Sequence, residues 1–206
     1  MKNGKIFSFF LAVLLLTGLL TTGCVQKNTY APPPEQPPET VDEASPETGT
    51  AAALGTLKDF SAVTLEGEAF TVDDIAAKDV TVINFWALSC PPCIRELPDI
   101  ADFSKALPDN VQVVTVCLDG AWDEEATRTV LSGAGFDGVT LLSGDGDFLA
   151  LCSSLMYTPT TVFVDSEGTL LGDAIIGAQE DLSGTFLRGI NTALAESGKA
   201  EISLAE

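Results

Sequence analysis

The sequence predicts an α/β protein, a layered sandwich in which helices pack on a mixed β-sheet. From about residue 57 onward, short runs of strand-forming residues alternate with segments whose apolar residues recur every three or four positions. Hairpin patterns near the start and near the end of this region indicate that some of the strands are antiparallel. An apolar content of 46% is sufficient for the core of such a sandwich.

The elements can be assigned in order along the chain. A leading hairpin is predicted over 60–72, followed by a short helical turn through Lys78 that Asp73 and Asp74 can cap. Strands are predicted at 80–87, 111–118, 139–142, 160–164 and 169–172, and helices at 91–107, 123–132, 146–156 and 180–196. Pro98 is expected to interrupt the first long helix, because proline lacks the N–H that the helix needs.

Charge and composition exclude several classes of function. Lys and Arg number 10 against 30 Asp and Glu, so the net charge of −20 repels nucleic acid and anionic lipid headgroups. The chain contains no histidine, which removes Ser-His and Cys-His nucleophile pairs and imidazole metal ligands. The remaining chemistry has to come from cysteine, carboxylate or backbone groups.

The first 23 residues have the pattern of an export signal. Lys2 and Lys5 precede a nearly unbroken apolar run over 6–20, which is short for a membrane span. The block ending at Cys24 resembles a bacterial lipobox, although Thr21 stands where leucine is usual. We therefore expect Cys24 to be lipidated and to anchor an extracytoplasmic protein to the bacterial cell membrane. A signal peptide cut nearby and an uncleaved anchor are the alternatives.

Residues 24–54 are predicted to form a disordered tether after the lipidated cysteine. Six of the 11 prolines lie there, mixed with glutamate, threonine and alanine. This composition cannot bury a core and favours an extended chain. The folded domain is therefore expected over 55–200.

The strand at 80–87 leads into the sequence Cys90-Pro91-Pro92-Cys93, where a helix begins. A Cys-x-x-Cys at such a junction is typical of a thiol-disulfide redox site. Cys90 is the predicted nucleophile, because free N–H groups at a helix N-terminus favour a thiolate. Cys93, one turn into the helix, is suited to resolving a mixed disulfide. The prolines remove two N–H donors, so we expect weaker thiolate stabilisation than in strong oxidants.

Two longer motifs extend this site. The first is Asn84-Phe85-Trp86-Ala87 with Cys90 to Pro98, and the second runs from Tyr157 to Asp165 and includes Gly168. Together they resemble the signatures of the TlpA/ResA-like thioredoxin family, which has a redoxin (AhpC/TSA-type) domain. These proteins are extracytoplasmic, membrane-tethered thiol-disulfide oxidoreductases.

The resemblance implies a thioredoxin-like three-layer α/β/α sandwich with an N-terminal β-hairpin extension. It implies that Pro159 is cis and lies against Cys90, and that the backbone of Thr158 is left to pair with a substrate. Trp86 is assigned to the same substrate-binding surface. Protein thiols and disulfides are the implied substrates, cytochrome c apoprotein among them, and a membrane protein is the implied electron donor. No cofactor and no metal are expected.

Two departures from the family concern the neighbourhood of the nucleophile. Ser89 stands where many relatives carry tryptophan, which predicts a smaller and more polar docking surface. Asn84 stands where thioredoxin has a buried acid that assists proton transfer. Another carboxylate could assist instead, and Glu66, Glu68 and Glu96 are the candidates; the alternative for each is a solvated surface acid.

Cys117 and Cys152 are not required by either motif. They are interpreted either as two buried apolar side chains or as a second disulfide, since an exported chain with a lipidated Cys24 retains an even number of cysteines.

The predicted function is dithiol-disulfide exchange on exported proteins, of the kind used in cytochrome c maturation. A thiol peroxidase is an alternative, but Ile83 stands where its motif requires proline. A metal-binding thioredoxin-fold protein is another, disfavoured by the lack of histidine. The direction of electron flow is left open by the sequence.

Overall fold

The computed structural model of the chain describes residues 55–204. The signal peptide, the lipidated Cys24 and the tether predicted for residues 1–54 lie outside the described residues. The strands are β1 (Ser61–Thr64), β2 (Ala69–Thr71), β3 (Val80–Trp86), β4 (Val111–Cys117), β5 (Thr140–Gly144), β6 (Thr160–Asp165) and β7 (Leu170–Ile176). The helices are α1 (Val72–Ala76), α2 (Pro91–Lys105), α3 (Glu124–Ala134), α4 (Gly146–Ser154) and α5 (Leu182–Glu196).

The strands form one mixed sheet of seven, in the order β2-β1-β5-β4-β3-β6-β7. β3 lies between β4, to which it is parallel, and β6, to which it is antiparallel. The hairpin β1–β2 extends the sheet by antiparallel pairing of β1 with β5. Because β3 and β4 are parallel, both end at the same edge of the sheet, and antiparallel β6 begins there.

Each face of the sheet packs against its own set of helices. One apolar cluster joins α2, α3 and α5, with Leu97, Leu131 and Phe186 among its buried residues. The other joins α1, α4 and the hairpin, with Ile75 and Phe148 among its buried residues. The predicted three-layer α/β/α sandwich with a mixed sheet and an N-terminal hairpin is thus confirmed.

Strand β3 contributes to both clusters, because successive side chains of a strand point to opposite faces. Val82 and Trp86 belong to the cluster under α2, whereas Ile83 and Phe85 belong to the cluster on the other face. All seven residues of the strand are buried. This explains why the sequence of β3 is a continuous apolar run rather than an alternating one.

Two details of the helices differ from the sequence prediction. Helix α2 is not interrupted at Pro98 but continues through it to Lys105. Pro98 is exposed, whereas Leu97, Ile100 and Ala101 are buried, so packing of the apolar face offsets the hydrogen bond lost at the proline. The short helix α1 is capped by Thr71 instead of by the two acids, and Asp74 completes a capping box by accepting the Thr71 N–H.

Candidate active site

The two cysteines of the Cys-x-x-Cys lie where β3 passes into α2. Cys90 is the N-cap of α2 and Cys93 lies in its first turn. Their sulfurs form a disulfide with an S–S distance of 2.00 Å. The strand is anchored in both cores and the helix in one, so the chain holds the disulfide at the carboxyl edge of the sheet.

The first turn of α2 presents a single N–H to the Cys90 sulfur. Pro91 and Pro92 occupy its first two positions and have no N–H. The Cys93 N–H is 3.3 Å from Cys90 Sγ. Cys90 is 8% exposed and Cys93 is 1% exposed, so Cys90 is the more accessible of the two residues in this oxidised form.

The loop before β6 lies against the disulfide. The Thr158–Pro159 peptide bond is cis, as the family resemblance implied. Cys90 Sγ lies 3.6 Å from the carbonyl oxygen of Thr158. A disulfide sulfur has no hydrogen to donate, so this is a van der Waals contact here and becomes a potential hydrogen bond when Cys90 is a thiol. Among residues 55–204, no backbone hydrogen bond engages the N–H of Thr158.

Trp86 does not form part of the surface around the cysteines. Its side chain is fully buried and belongs to the same apolar cluster as both cysteines. The assignment of Trp86 to a substrate-binding surface is therefore wrong for this oxidised form. Trp86 is the last residue of β3, and its side chain points into the core under α2. Its Nε1–H has no hydrogen-bond partner among the described residues.

Asn84 is buried on the same face of β3 as Trp86. Its Nδ2 donates to Thr161 Oγ1 at 2.9 Å, across the β3–β6 pair. Within the described part of the chain, its Oδ1 accepts no hydrogen bond. An amide cannot carry the proton that a carboxyl would carry at this position.

Of the three carboxylates considered from the sequence, only Glu96 is buried. It is 5% exposed and accepts the backbone N–H of Gln179 at 2.9 Å. Burial raises the pKa of Glu96 and nearby Asp99 raises it further, while the Gln179 N–H opposes the change. Glu66 and Glu68 are exposed, and Glu66 forms an ion pair with Arg128 at 3.2 Å. Glu96 lies three residues after Cys93, and thus beside it on the helix surface.

Asp119, just beyond the end of β4, supports the loop before Cys90. Its Oδ1 accepts the Leu88 N–H at 2.7 Å, and its Oδ2 accepts from the N–H and the Oγ of Ser89, both at 3.3 Å. The Cys117 thiol donates to Oδ1 at 3.4 Å. Partial burial would raise the pKa of Asp119, but these hydrogen bonds together lower it. Asp119 was not among the site residues predicted from the sequence; the adjacent ends of two parallel strands were the signal that could have found it.

Cys117 and Cys152 are not bonded to each other, so the second disulfide considered from the sequence is not formed. They lie on opposite sides of the sheet: Cys117 is in the cluster under α2, and Cys152 packs against the other cluster. Burial raises the pKa of Cys117 to about 12 and that of Cys152 to about 11. Both are therefore thiols at neutral pH, which agrees with the interpretation as buried apolar side chains.

Two further properties concern the described part of the chain alone. None of its helices combines the length and the apolar character that crossing a bilayer requires. Across residues 55–204, no three histidine, cysteine or acidic side chains come together as metal ligands would.

Known proteins resemble part of this chain. It is 32% identical over 113 residues to the thioredoxin-like protein YneN of Bacillus subtilis, covering 54% of this chain and 65% of that protein. It is 42% identical over 60 residues to the sporulation thiol-disulfide oxidoreductase A of the same organism, covering 29% of this chain and 35% of that protein. The chain thus spans less than two thirds of the length of these two relatives.

A solved structure agrees with the fold. A secreted Mycobacterium tuberculosis disulfide oxidoreductase, homologous to E. coli DsbE, superimposes with a TM-score of 0.50 and 25% identity, covering 62% of this chain and 93% of that one. The model of the AhpC/TSA family matches residues 55–171, which include the disulfide, the cis-proline loop and Asp119. The chain therefore belongs to the AhpC/TSA family, in agreement with its resemblance to the TlpA/ResA-like thioredoxins.

Proposed function

We propose that this protein is a membrane-tethered, extracytoplasmic thiol-disulfide oxidoreductase that reduces disulfides of exported proteins. The observation that carries the proposal is the Cys90–Cys93 disulfide at the N-terminus of α2, with Cys90 as the more exposed residue. The similarity to the sporulation thiol-disulfide oxidoreductase supports the same reaction. In this proposal residues 1–23 are a signal peptide, Cys24 carries the lipid, 24–54 are the tether and 55–200 are the catalytic domain.

The reaction requires two exchanges in sequence. In the reduced protein, the Cys90 thiolate attacks one sulfur of the substrate disulfide, whose other sulfur leaves as a thiolate and takes up a proton. Cys93, after losing its proton, attacks Cys90 Sγ and releases the second substrate thiol. The products are a substrate dithiol and the Cys90–Cys93 disulfide. A dithiol of a membrane electron donor then reduces this disulfide by the reverse exchange.

Glu96 is the group that we propose to accept the proton from Cys93. It neighbours Cys93 on α2, and a carboxyl with a raised pKa accepts and returns a proton more readily near neutral pH than an exposed one. Glu66 and Glu68 are exposed, and Glu66 forms an ion pair with Arg128. Asn84 cannot serve, because its amide does not titrate in this range.

Reduction is the proposed direction, because the site offers little stabilisation to a thiolate. Strong oxidants of this chemistry owe their potential to a stabilised reduced form. Among residues 55–204, Cys90 Sγ has one N–H donor in reach, from Cys93, and ionised Asp119 lies against the preceding Ser89. Both features leave the dithiol form less favoured, so electrons are given up to a substrate.

Insulin reduction by the full-length protein tests the activity. Wild-type protein regenerated by a chemical dithiol should catalyse precipitation of the insulin B chain, and Cys90→Ser should abolish the catalysed rate. Cys152→Ser is the matched control, because it removes a thiol on the opposite side of the sheet and should leave the rate unchanged. Equal activity of Cys90→Ser and wild type would refute the proposal.

A trapping experiment identifies the substrate. In Cys93→Ser the mixed disulfide on Cys90 cannot be resolved, so an exported substrate should stay linked and be identifiable by mass spectrometry. The family resemblance makes cytochrome c apoprotein the expected partner. Adducts that persist in the Cys90→Ser, Cys93→Ser double variant would come from another thiol and would count against this site.

A further inference from the structure

The exposed apolar side chains of the domain are concentrated around the candidate active site. Six large apolar residues are exposed in the described part of the chain. Four of them lie in three segments that adjoin the cysteine loop or the cis-proline loop: Trp122 after β4, Met156 and Tyr157 before β6, and Ile176 as the last residue of β7. Trp122 is 89% exposed and Met156 is 82% exposed, which is unusual for side chains of this size.

Hydrogen bonds and contacts connect the three segments that carry these residues to the cysteine loop. Asp119, three residues before Trp122, accepts the N–H of Leu88. Thr158, next to Tyr157, contacts Cys90 Sγ through its carbonyl oxygen. Gly177, next to Ile176, donates its N–H to the carbonyl oxygen of Pro159 at 2.8 Å. We call Trp122, Met156, Tyr157 and Ile176 the apolar rim of the site.

Negative charge flanks the apolar rim on two sides. Asp123, Glu124 and Glu125 are exposed and follow Trp122 directly. Glu180 and Asp181 are exposed and follow the segment of Ile176, where Asp181 is 4.0 Å from Arg188. The ranges 117–125, 154–162 and 174–181 contain no lysine or arginine. Arg95 on α2 is the basic residue nearest in sequence to the cysteines.

We propose that the apolar rim binds an extended polypeptide segment in which a disulfide cysteine is flanked by apolar and basic residues. This inference rests on the proposed function and adds the chemical class of its substrate. Aromatic and methionine side chains that stay exposed next to a reactive group are typical of a protein-binding surface. The unengaged N–H of Thr158 can pair with the backbone of an extended segment.

The charges decide between basic and acidic partners. A segment carrying lysine or arginine meets the acids after Trp122 and Gln179, whereas an acidic segment is repelled by them. Charge complementarity of this kind acts mainly on the rate of encounter, by about tenfold or more at low salt. The preference for basic segments should therefore weaken as added salt screens these charges over distances of about 10 Å or less.

Two synthetic peptides provide the test. Each carries one intramolecular disulfide flanked by the same leucine and tyrosine; lysines surround this core in one peptide and glutamates in the other. The full-length protein is reduced with a chemical dithiol and desalted. Formation of the Cys90–Cys93 disulfide, with loss of the peptide disulfide, is followed at low and high salt. An uncharged small disulfide, hydroxyethyl disulfide, measures the reactivity of Cys90 without a docking requirement.

The variants separate charge from apolar contact. Asp123→Asn, Glu124→Gln and Glu125→Gln together remove the acids after Trp122. The matched control removes three exposed acids elsewhere, through Asp109→Asn, Glu167→Gln and Glu201→Gln. Trp122→Ala tests the apolar rim, and Leu149→Ala is its control, because Leu149 is exposed on α4, whose buried residues pack in the cluster on the opposite face of the sheet from the cysteines.

The proposal expects the lysine peptide to react at least about tenfold faster than the glutamate peptide at low salt. The variant with Asp123, Glu124 and Glu125 replaced should lose most of this rate ratio, and the control with three other acids replaced should keep it. Trp122→Ala should slow both peptides but not hydroxyethyl disulfide. Equal rates for the two peptides, with normal reaction of hydroxyethyl disulfide, would overturn this inference and leave the proposed function intact. Failure of the reduced protein to react with any disulfide would overturn both.

Discussion

Asp119 and Leu88 join the end of β4 to the loop before the nucleophile, through a 2.7 Å hydrogen bond from the Leu88 N–H to the carboxylate. The same carboxylate accepts from Ser89, the residue before Cys90. The contact positions the cysteine loop and also places a negative charge close to Cys90. These two effects act on different properties of the site and can be separated by substitution.

We expect Asp119→Asn to make Cys90 thiolate formation easier. The amide oxygen still accepts the Leu88 N–H, but the charge that opposes a thiolate is gone. An effect on the order of 1 kcal/mol is expected for one nearby surface charge. It should appear as alkylation of Cys90 at lower pH and as a glutathione equilibrium shifted about tenfold, or about 30 mV, toward a stronger oxidant. An unchanged glutathione equilibrium would limit Asp119 to a structural role. Asp109→Asn, which removes one exposed carboxylate elsewhere, is the control for the change in net charge.

Glu96→Gln should stabilise the oxidised protein at neutral pH. The pKa of Glu96 is raised in the folded protein by burial, so its ionisation above that pKa costs folding free energy. The amide removes this cost while keeping an acceptor for the Gln179 N–H. We expect a gain on the order of 1 kcal/mol near pH 7 that disappears below about pH 4, where the unfolded carboxyl is also protonated. Urea denaturation at both pH values measures it, and a gain that persists at acid pH would contradict the assignment.

The same variant should slow release of the substrate. If Glu96 takes the proton from Cys93, its loss should reduce the rate at which the mixed disulfide is resolved, on the order of a hundredfold for general-base assistance. Formation of the mixed disulfide by Cys90 should be unaffected. Rapid-quench mass spectrometry separates the two steps, and a slower first step with a normal second step would assign Glu96 a different role.

Two thiols should be detected in the described domain of the oxidised protein after unfolding. Cys117 and Cys152 are free, and the pKa of each is raised by burial, so native alkylation near pH 8 should be slow, and slowest for buried Cys117. In denaturant without reductant both should be labelled, while Cys90 and Cys93 should not. Peptide mapping distinguishes them from Cys24. Absence of labelling on the Cys117 and Cys152 peptides would indicate the second disulfide after all.

A pair of glycine substitutions tests how α5 packs on the sheet. A Cβ at Gly189 would overlap the ring of Phe163, so Gly189→Ala should destabilise the domain by about 1–3 kcal/mol. Gly133 also lies in a helix, α3, and a Cβ there meets nothing within 4 Å. Gly133→Ala should therefore stabilise by about 0.5–1 kcal/mol. Thermal denaturation measures both, and a neutral or stabilising Gly189→Ala would disprove the close contact.

The strand-helix junction could be predicted from the sequence because its signals are local. β3 is a run of apolar residues long enough for a buried strand, and Pro91 and Pro92 suit only the first turn of a helix. The predicted interruption of α2 at Pro98 was wrong, because there the outcome depends on tertiary packing and not on local signals. A local propensity was outweighed by burial of Leu97 and Ile100, which depends on the layers above and below the helix.

The features that sequence reasoning missed depend on which elements are neighbours. Asp119 reaches Leu88 only because β3 and β4 are parallel and end together. Cys117 and Cys152 lie on opposite sides of the sheet. The sequence could not show this, because the apolar pattern of α4 does not indicate which face of the sheet the helix covers. The choice of Glu96 over Glu66 and Glu68 likewise depends on burial against the segment of Gln179.

Strand β3 contributes buried residues to both apolar clusters, so it cannot separate from the sheet without exposing the core on each face. The segments that carry the apolar rim, by contrast, lie at the ends of strands, and their rim side chains are exposed. Openings of those segments can thus occur without global unfolding. Mutation of the exposed rim side chains can change which proteins the site recognises at little cost in stability, while the position of the disulfide stays fixed. Recognition and reactivity can therefore evolve separately in this domain.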